Sequence, residues 1–187
     1  DPRDRDSDHD ELDDSAELYS GGDPLVPDTD HDQVCDGSDS APDDPIVHPG
    51  LPGESHQHDF YGSTITDAHS TIAKLQAGDT TCNKKVDTAG YWQPTLYDYH
   101  SPVRPVEANV YYRAAPGVDP TEVQTMPEGL ALIAGDFTAT TPQKGEATGW
   151  TCGSSTTLSD DPPDCDVSAP LHLVLTFPDC WDGEYLD

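Results

Sequence analysis

The sequence predicts a mainly β protein: an antiparallel β-sandwich or jelly-roll-like domain with one short helix, preceded by a loop-rich calcium-binding repeat segment. Three observations support this fold class. Short apolar runs alternate with polar residues, as in LHLVLTF at residues 171–177. The 18 Pro and 15 Gly residues punctuate the chain at short intervals. Only 33% of residues are hydrophobic, which is too little for a large helical core.

The strands are expected where short apolar or aromatic runs lie between turn residues. They are predicted around residues 90–97, 107–114, 129–134 and 171–177. No run approaches the roughly 18 apolar residues of a membrane-spanning helix. The chain starts at Asp1 without an apolar leader, so we expect that any signal peptide has already been removed.

The one helix is expected at about residues 70–77. Ser70 can cap its first turn, Ile72 and Leu75 can face inward, and Gly78 can end it.

The charge is strongly negative and unevenly distributed. The net charge is −29, which argues against nucleic acid or an anionic membrane surface as a partner. Residues 1–44 hold 17 acidic and two basic residues, whereas residues 45–187 hold all three Trp and all three Phe. We therefore predict two regions: Asp-rich tandem repeats at 1–44 and a disulfide-containing β-rich domain at 45–187.

The acidic segment contains a repeat. DSDHDELDDSAE at residues 6–17 recurs as DTDHDQVCDGSD at residues 28–39, with matching Asp positions 22 residues apart. Such spacing supplies the six to eight oxygen ligands that calcium prefers. A solvated acidic tail and the surface acidity of a salt-loving organism are the alternatives.

The predicted calcium ligands follow the 12-residue loop pattern, in which position 7 contributes a backbone carbonyl. In the first repeat they are Asp6, Asp8, Asp10, Leu12, Asp14 and Glu17. In the second repeat they are Asp28, Asp30, Asp32, Val34, Asp36 and Asp39. The repeats depart from the pattern at position 6, where Glu11 and Gln33 replace the usual Gly. They resemble thrombospondin type 3 repeats, which implies calcium-dependent rigidity in an extracellular protein.

Five cysteines occur without a zinc-binding spacing, so disulfides are the expected use. Cys152 and Cys165 bracket a Ser-, Asp- and Pro-rich loop that a bridge would close. Cys82 with Cys180 is the next pairing considered, which leaves Cys35 over. An intermolecular disulfide through Cys35, a free thiol and a partner beyond residue 187 all remain open.

The region after residue 45 contains an ordered set of distinctive stretches. They include HQHDFYGST at 56–64, GDTTC at 78–82, AGYWQPTLY at 89–97, VRP at 103–105, VYYR at 110–113, IAGD at 133–136, WTC at 150–152 and FPDCWDG at 177–183. With these stretches the chain resembles the secreted family called domain of unknown function nineteen ninety-six. The resemblance implies an extracellular, disulfide-containing domain with no settled activity. The family pattern usually continues past CWDG, so a shortened domain and a partial chain are both open.

The HxHD motif is the candidate for chemistry. In an extended segment His56 and His58 lie on one side and can bind a transition metal together, while Asp59 turns away or bonds a ring N–H. A third ligand is needed, and His69, His100 and His172 are the candidates. The alternative is a hydrogen-bonded His pair that fixes a loop.

Together these observations predict an extracellular calcium-binding protein with a structural or binding role. We expect a surface, matrix or filament component that attaches to polysaccharide or to copies of itself. Exposed aromatic side chains would suit sugar binding. The alternative is a metal-dependent or carboxylate hydrolase of cell-wall polysaccharide that acts through HxHD, and the sequence leaves open whether the protein is an enzyme.

Overall fold

The structure is a computed structural model that describes residues 33–112, 117–123, 125–141, 147–178 and 181–186. The chain divides into two compact units, Asp1–Ala114 and Ala115–Asp187. The strands are β1 (Gln33–Ala41), β2 (His58–Gly62), β3 (Gly90–Pro94), β4 (Leu96–Asp98), β5 (Ser101–Val103), β6 (Glu107–Val110), β7 (Thr148–Cys152) and β8 (Leu171–Leu175). The helices are α1 (Ile72–Gln76) and a 3₁₀ turn at Pro120–Glu122. The prediction of a mainly β, antiparallel fold with one short α-helix is confirmed, and the architecture is consistent with a sandwich.

The first unit is organised around a four-stranded sheet. Its order is β3-β2-β1-β6, and each neighbouring pair is antiparallel. Strand β2 is buried along its whole length. A separate hairpin, β4 with β5, comes immediately before Arg104 in the chain.

Successive side chains of β2 point to opposite sides of the sheet. His58 and Phe60 lie on one side, which we call the closed face, and Phe60 is opposite Trp92 of β3. Asp59 and Tyr61 lie on the other side, which we call the cleft face, and Tyr61 is opposite Tyr91. The adjacent aromatic residues of β3 therefore point to opposite sides, as expected.

The end of β2 requires glycine. Gly62 has a φ of +73°, in the left-handed region that disfavours a side chain. A Cβ there would also collide with the backbone carbonyl of Ala89. The backbone geometry therefore requires glycine as the final residue of the HDFYG stretch.

Strand β1 contains a β-bulge. The register with β2 shifts between Gly37 and Asp39, so Ser38 is the extra residue. A bulge bends and twists a strand locally and re-aims the side chains beside it. In this protein the bulge lies on β1 beside the β2 residues Phe60 and Asp59, which pair with Asp39 and Ser40.

Helix α1 differs from its prediction at the cap and in burial. Thr71, and not Ser70, is the N-cap, and its side chain accepts a hydrogen bond from the N–H of Lys74. Ser70 instead accepts from the N–H of Asp67. The helix has no buried residue and Ile72 is exposed, because the central strand already supplies the core of this unit.

The second unit contains the β7–β8 hairpin. Gly149 and Thr151 of β7 are its buried positions, and Trp150 exchanges two backbone hydrogen bonds with Ser159. A Cβ on Gly149 would lie 2.8 Å from Leu158, so this packing needs glycine. The strand predicted at 129–134 is wrong: this stretch is irregular, and the N–H of Ala131 bonds to the carbonyl of Leu186.

Candidate functional site

The two histidines of HxHD lie side by side on the closed face. Their ring centroids are 4.4 Å apart, and His58 continues into a row of rings with Phe60 and then Trp92, each step 6.2 Å. His58 is 3% exposed, and its Nδ1 lies 2.8 Å from the carbonyl oxygen of Asp43. Because a carbonyl only accepts, Nδ1 carries the proton of this hydrogen bond.

Burial lowers the pKa of His58, and the neighbouring His56 lowers it further, against the hydrogen bond to Asp43 and the carboxylates of Asp44 and Asp59. The imidazole is therefore held in its neutral form over a wider pH range than a free histidine.

The loop above the His pair is fixed by carboxylates. Asp43 accepts hydrogen bonds from the N–H groups of Gly53 (3.0 Å) and Ala68 (3.1 Å). Asp44 accepts from two N–H groups of its own turn, and Trp92 Nε1 lies 3.4 Å from its other oxygen. These contacts seal the closed face and favour a structural role for His58.

Transition-metal binding by HxHD stays a prediction. The two rings are adjacent, and Asp59 is turned away to the opposite side of the sheet, which is one of its two expected arrangements. Among the described residues there is no group of three or more His, Cys, Asp or Glu side chains placed to hold a metal ion. His69, His100 and His172 therefore do not complete such a group within the described part of the chain.

The cleft face carries a buried carboxylate. Asp59 is 3% exposed, and its Oδ1 accepts hydrogen bonds from Ser40 Oγ (2.5 Å) and Arg104 Nη1 (2.8 Å). The side chain of Arg104 is 58% exposed, whereas that of Asp59 is only 4% exposed. Arg104 thus closes over the carboxylate from the solvent side.

An open cleft of about 430 Å³ lies at this point, and we call it the bulge cleft. It is lined by residues 36–40 of β1, 59–61 of β2 and 104–106. The lining residues include three that carry a carboxylate, Asp36, Asp39 and Asp59, and one that carries a guanidinium, Arg104. The bulge cleft is therefore suited to a ligand that donates hydrogen bonds.

Two buried polar atoms in the lining side chains have no hydrogen-bond partner. They are Oδ2 of Asp59 and the hydroxyl of Tyr61. Burial and the charge of Asp59 raise the pKa of Tyr61, while Arg104 lowers it, so the hydroxyl stays protonated at neutral pH. Most buried polar groups in native proteins are satisfied, so the pair indicates a position where a binding partner completes the structure.

The predicted calcium ligands fall mostly outside the described residues. Asp6, Asp8, Asp10, Leu12, Asp14, Glu17, Asp28, Asp30 and Asp32 all lie there. Val34, Asp36 and Asp39 lie on β1, and the Val34 carbonyl accepts the N–H of Asn83 at 2.9 Å. A carbonyl has a second lone pair, so the calcium site stays a prediction.

The disulfides correct part of the cysteine interpretation. Cys152 is bonded to Cys165, as the spacing predicts. Cys82 is bonded to Cys35, so the pairing with Cys180 and an intermolecular bridge through Cys35 are both wrong. The β-bridge that pairs Cys35 with Cys82 explains this bond, because it brings two distant segments together in the core. Cys180 lies outside the described residues.

Two carboxylates of the second unit, Asp136 and Asp182, accept hydrogen bonds from residues that follow them closely in the chain. Asp182 accepts hydrogen bonds from the N–H groups of Glu184 and Tyr185, which lower its pKa. Asp136 accepts hydrogen bonds from the side chain and N–H of Thr138, and its pKa is lowered too. A general acid for glycoside hydrolysis needs the opposite shift.

Comparison with known protein families gives one match, to Domain of unknown function (DUF1996), over residues 44–187. The chain belongs to the DUF1996 family. Neither the curated proteins nor the solved structures include a match to this chain. The bulge cleft is built partly from the DUF1996 match, which contributes residues 59–61 and 104–106, and partly from β1, which precedes it.

Sequence reasoning identified Asp59 but not the other residues that form the bulge cleft of this DUF1996 chain. Ser40 and Tyr61 gave no signal, because a serine and a strand tyrosine are common in any β protein. Arg104 offers a signal that can be used, because cations are scarce in this acidic chain and an arginine surrounded by many carboxylates tends to pair with one of them.

Proposed function

We propose that this DUF1996 protein is an extracellular binding protein that attaches to polysaccharide through the bulge cleft. The observation that carries the proposal is the buried Asp59 carboxylate at the cleft, with one oxygen engaged and the other without a partner. Hydroxyl and amine groups of sugars donate hydrogen bonds to such oxygens, and a few well-placed polar groups typically orient a ligand in a cleft of this size.

Exposed aromatic side chains support this choice. Tyr99 is 93% exposed at the tip of the β4–β5 hairpin, where it adopts a positive φ of 54°. Tyr97 of the same hairpin is also exposed. The hairpin ends at Val103, so the exposed tyrosines directly precede residues 104–106, one of the three segments that line the bulge cleft. Aromatic faces provide apolar contact for a pyranose ring.

The proposed location is outside the cell. Two disulfides within the chain are compatible with an oxidising, secreted environment. No helix in the described part of the chain combines the length and the apolar character needed to cross a membrane. The Asp-rich repeats support calcium as a structural cofactor, with the ligand set given by the sequence and affinities of about 10⁻⁴–10⁻³ M typical of extracellular modules.

The hydrolase alternative gains no specific support from the geometry. The two histidines and Asp59 of HxHD point to opposite faces, and His58 is enclosed by rings and the Asp43 loop. Transition-metal binding by His56 and His58 stays a prediction for a separate test.

The binding proposal is tested with insoluble chitin, cellulose and partially deacetylated chitin in a sedimentation assay. Val106→Trp should block the cleft and remove binding, because Val106 lines the cleft but is 88% exposed and tolerates a larger side chain. Val86→Trp is the matched control, since Val86 is 95% exposed and does not line the cleft. Failure of the unmodified protein to bind any of the three, or equal binding by both variants, would contradict the proposal.

A further inference from the structure

The bulge cleft has a charge and a hydrogen-bonding pattern that narrow the ligand class. Three carboxylates and one guanidinium are present among its described lining residues. An anionic sugar would meet repulsion from these carboxylates, so the ligand is neutral or cationic.

The position of Arg104 decides between a neutral and a cationic ligand. Its Nη1 bonds only one oxygen of Asp59, and more than half of its side chain lies in solvent. The carboxylate beneath it is almost wholly covered. A ligand therefore reaches the engaged oxygen of Asp59 by displacing Arg104, because the guanidinium is bonded to that oxygen and lies on its solvent side.

A neutral hydroxyl is a poor replacement for Arg104. Removing the guanidinium leaves a buried negative charge, and a hydroxyl supplies one donor without a compensating charge. A primary ammonium supplies the charge and three donors, enough for both Oδ1 and the unpartnered Oδ2 of Asp59. Asp36 and Asp39 also line the cleft, and their negative charge nearby favours a cationic ligand.

We infer that the bulge cleft binds amine-bearing sugars, with the sugar ammonium replacing Arg104 on Asp59. This inference rests on the proposed polysaccharide-binding function and specifies its ligand. In the absence of ligand, Arg104 is the cation that pairs with the Asp59 carboxylate, and the ligand ammonium takes its place on binding.

The test compares three tetramers with the same β-1,4-linked pyranose backbone: glucosamine, N-acetylglucosamine and glucose. They differ only in the C2 substituent, which is an ammonium, an acetamide or a hydroxyl. Isothermal titration at pH 6 should give the glucosamine tetramer at least about tenfold tighter binding than the others, the size expected for a charge-assisted hydrogen bond.

Variants separate the cleft from the general acidity of the chain. Asp59→Asn should weaken glucosamine binding about tenfold, whereas Asp98→Asn, the same charge change at an exposed position on β4, should leave it unchanged. Equal losses in the two variants would mean bulk electrostatic attraction and overturn the inference.

Arg104 provides a second test that does not depend on changing the buried carboxylate. Arg104→Gln should tighten glucosamine binding several-fold, since the competing cation is gone, and Arg104→Lys should stay near the wild-type affinity. Weaker binding by Arg104→Gln would show that Arg104 contacts the ligand and would overturn the exchange.

The remaining outcomes are distinct. Equal binding of all three tetramers refutes the amine preference and leaves the polysaccharide-binding proposal standing. Tetralysine binding as tight as glucosamine binding refutes a sugar-specific site. No binding by any of the three sugars refutes both the inference and the proposed function.

Discussion

The two faces of β2 are covered in different ways, although their side chains alternate within one five-residue strand. On the closed face, His58 and Phe60 pack in a row of rings beneath a loop held by Asp43. On the cleft face, Asp59 lines the open bulge cleft. One oxygen of its carboxylate is paired with the long, solvent-exposed side chain of Arg104. The neighbouring residues His58 and Asp59 of HxHD therefore lie in two environments: His58 packs inside the unit, and Asp59 borders the cleft that we propose as a binding site.

Phe60 should contribute the largest single-residue share of stability on the closed face. It is 1% exposed, so Phe60→Ala should lower the free energy of unfolding by about 3–5 kcal/mol. Urea unfolding followed by circular dichroism measures the change. Phe137→Ala is the control, because Phe137 is 61% exposed and its loss should cost less than about 0.5 kcal/mol. A change of less than about 1 kcal/mol in the free energy of unfolding of Phe60→Ala would contradict a mainly structural role for the closed face.

The cleft face has its own anchor, the buried disulfide between Cys35 and Cys82. The two cysteines are 47 residues apart, so loop entropy predicts a loss of about 4 kcal/mol for the double Ala variant. Cys152 and Cys165 are 13 residues apart, and the same argument predicts about 3 kcal/mol for their double variant. Hydrogen exchange should localise each loss to its own unit. Equal weakening of both units by one variant would contradict this assignment.

The fold class could be predicted from the sequence because composition and short runs of alternating apolar and polar residues indicate which side chains are buried. Strands β3 and β8 were located for that reason, whereas β1 was hidden inside the acidic repeat, where its Asp residues indicated a calcium loop. The stretch at 129–134 is apolar but irregular. The strand prediction failed there because an apolar run indicates burial and says nothing about backbone hydrogen-bond pairing. The bulge cleft was beyond reach, since it depends on a register shift at Gly37 and on Arg104 crossing from another segment.

His58 should make the closed face sensitive to acid. Its folded-state pKa is lowered by burial, whereas the unfolded chain takes up the proton near 6.5. Below that pH the unfolded state binds more protons, so stability falls as the pH is lowered. His58→Asn retains a donor for the Asp43 carbonyl and should flatten this part of the pH profile of the free energy of unfolding. His100→Asn is the exposed control and should leave the slope unchanged. An unchanged slope in His58→Asn would show that another group causes the acid sensitivity.

The smallest expected effect on folding is at the cleft rim. Val106→Trp should change the free energy of unfolding by less than about 0.5 kcal/mol, because an exposed side chain contributes little to the folded state. Thermal unfolding of Val106→Trp and Val86→Trp measures this. Loss of stability in Val106→Trp alone would mean that the cleft rim belongs to the core, and the contrast between the two faces would be weaker.

Hydrogen exchange of the unmodified protein, with and without the β-1,4-linked glucosamine tetramer, tests the central claim most directly. Binding at the bulge cleft predicts slower exchange at residues 36–40, 59–61 and 104–106, with the loop at 43–57 unchanged. Protection of the 43–57 loop without protection at the cleft would place the ligand on the closed face and contradict the account.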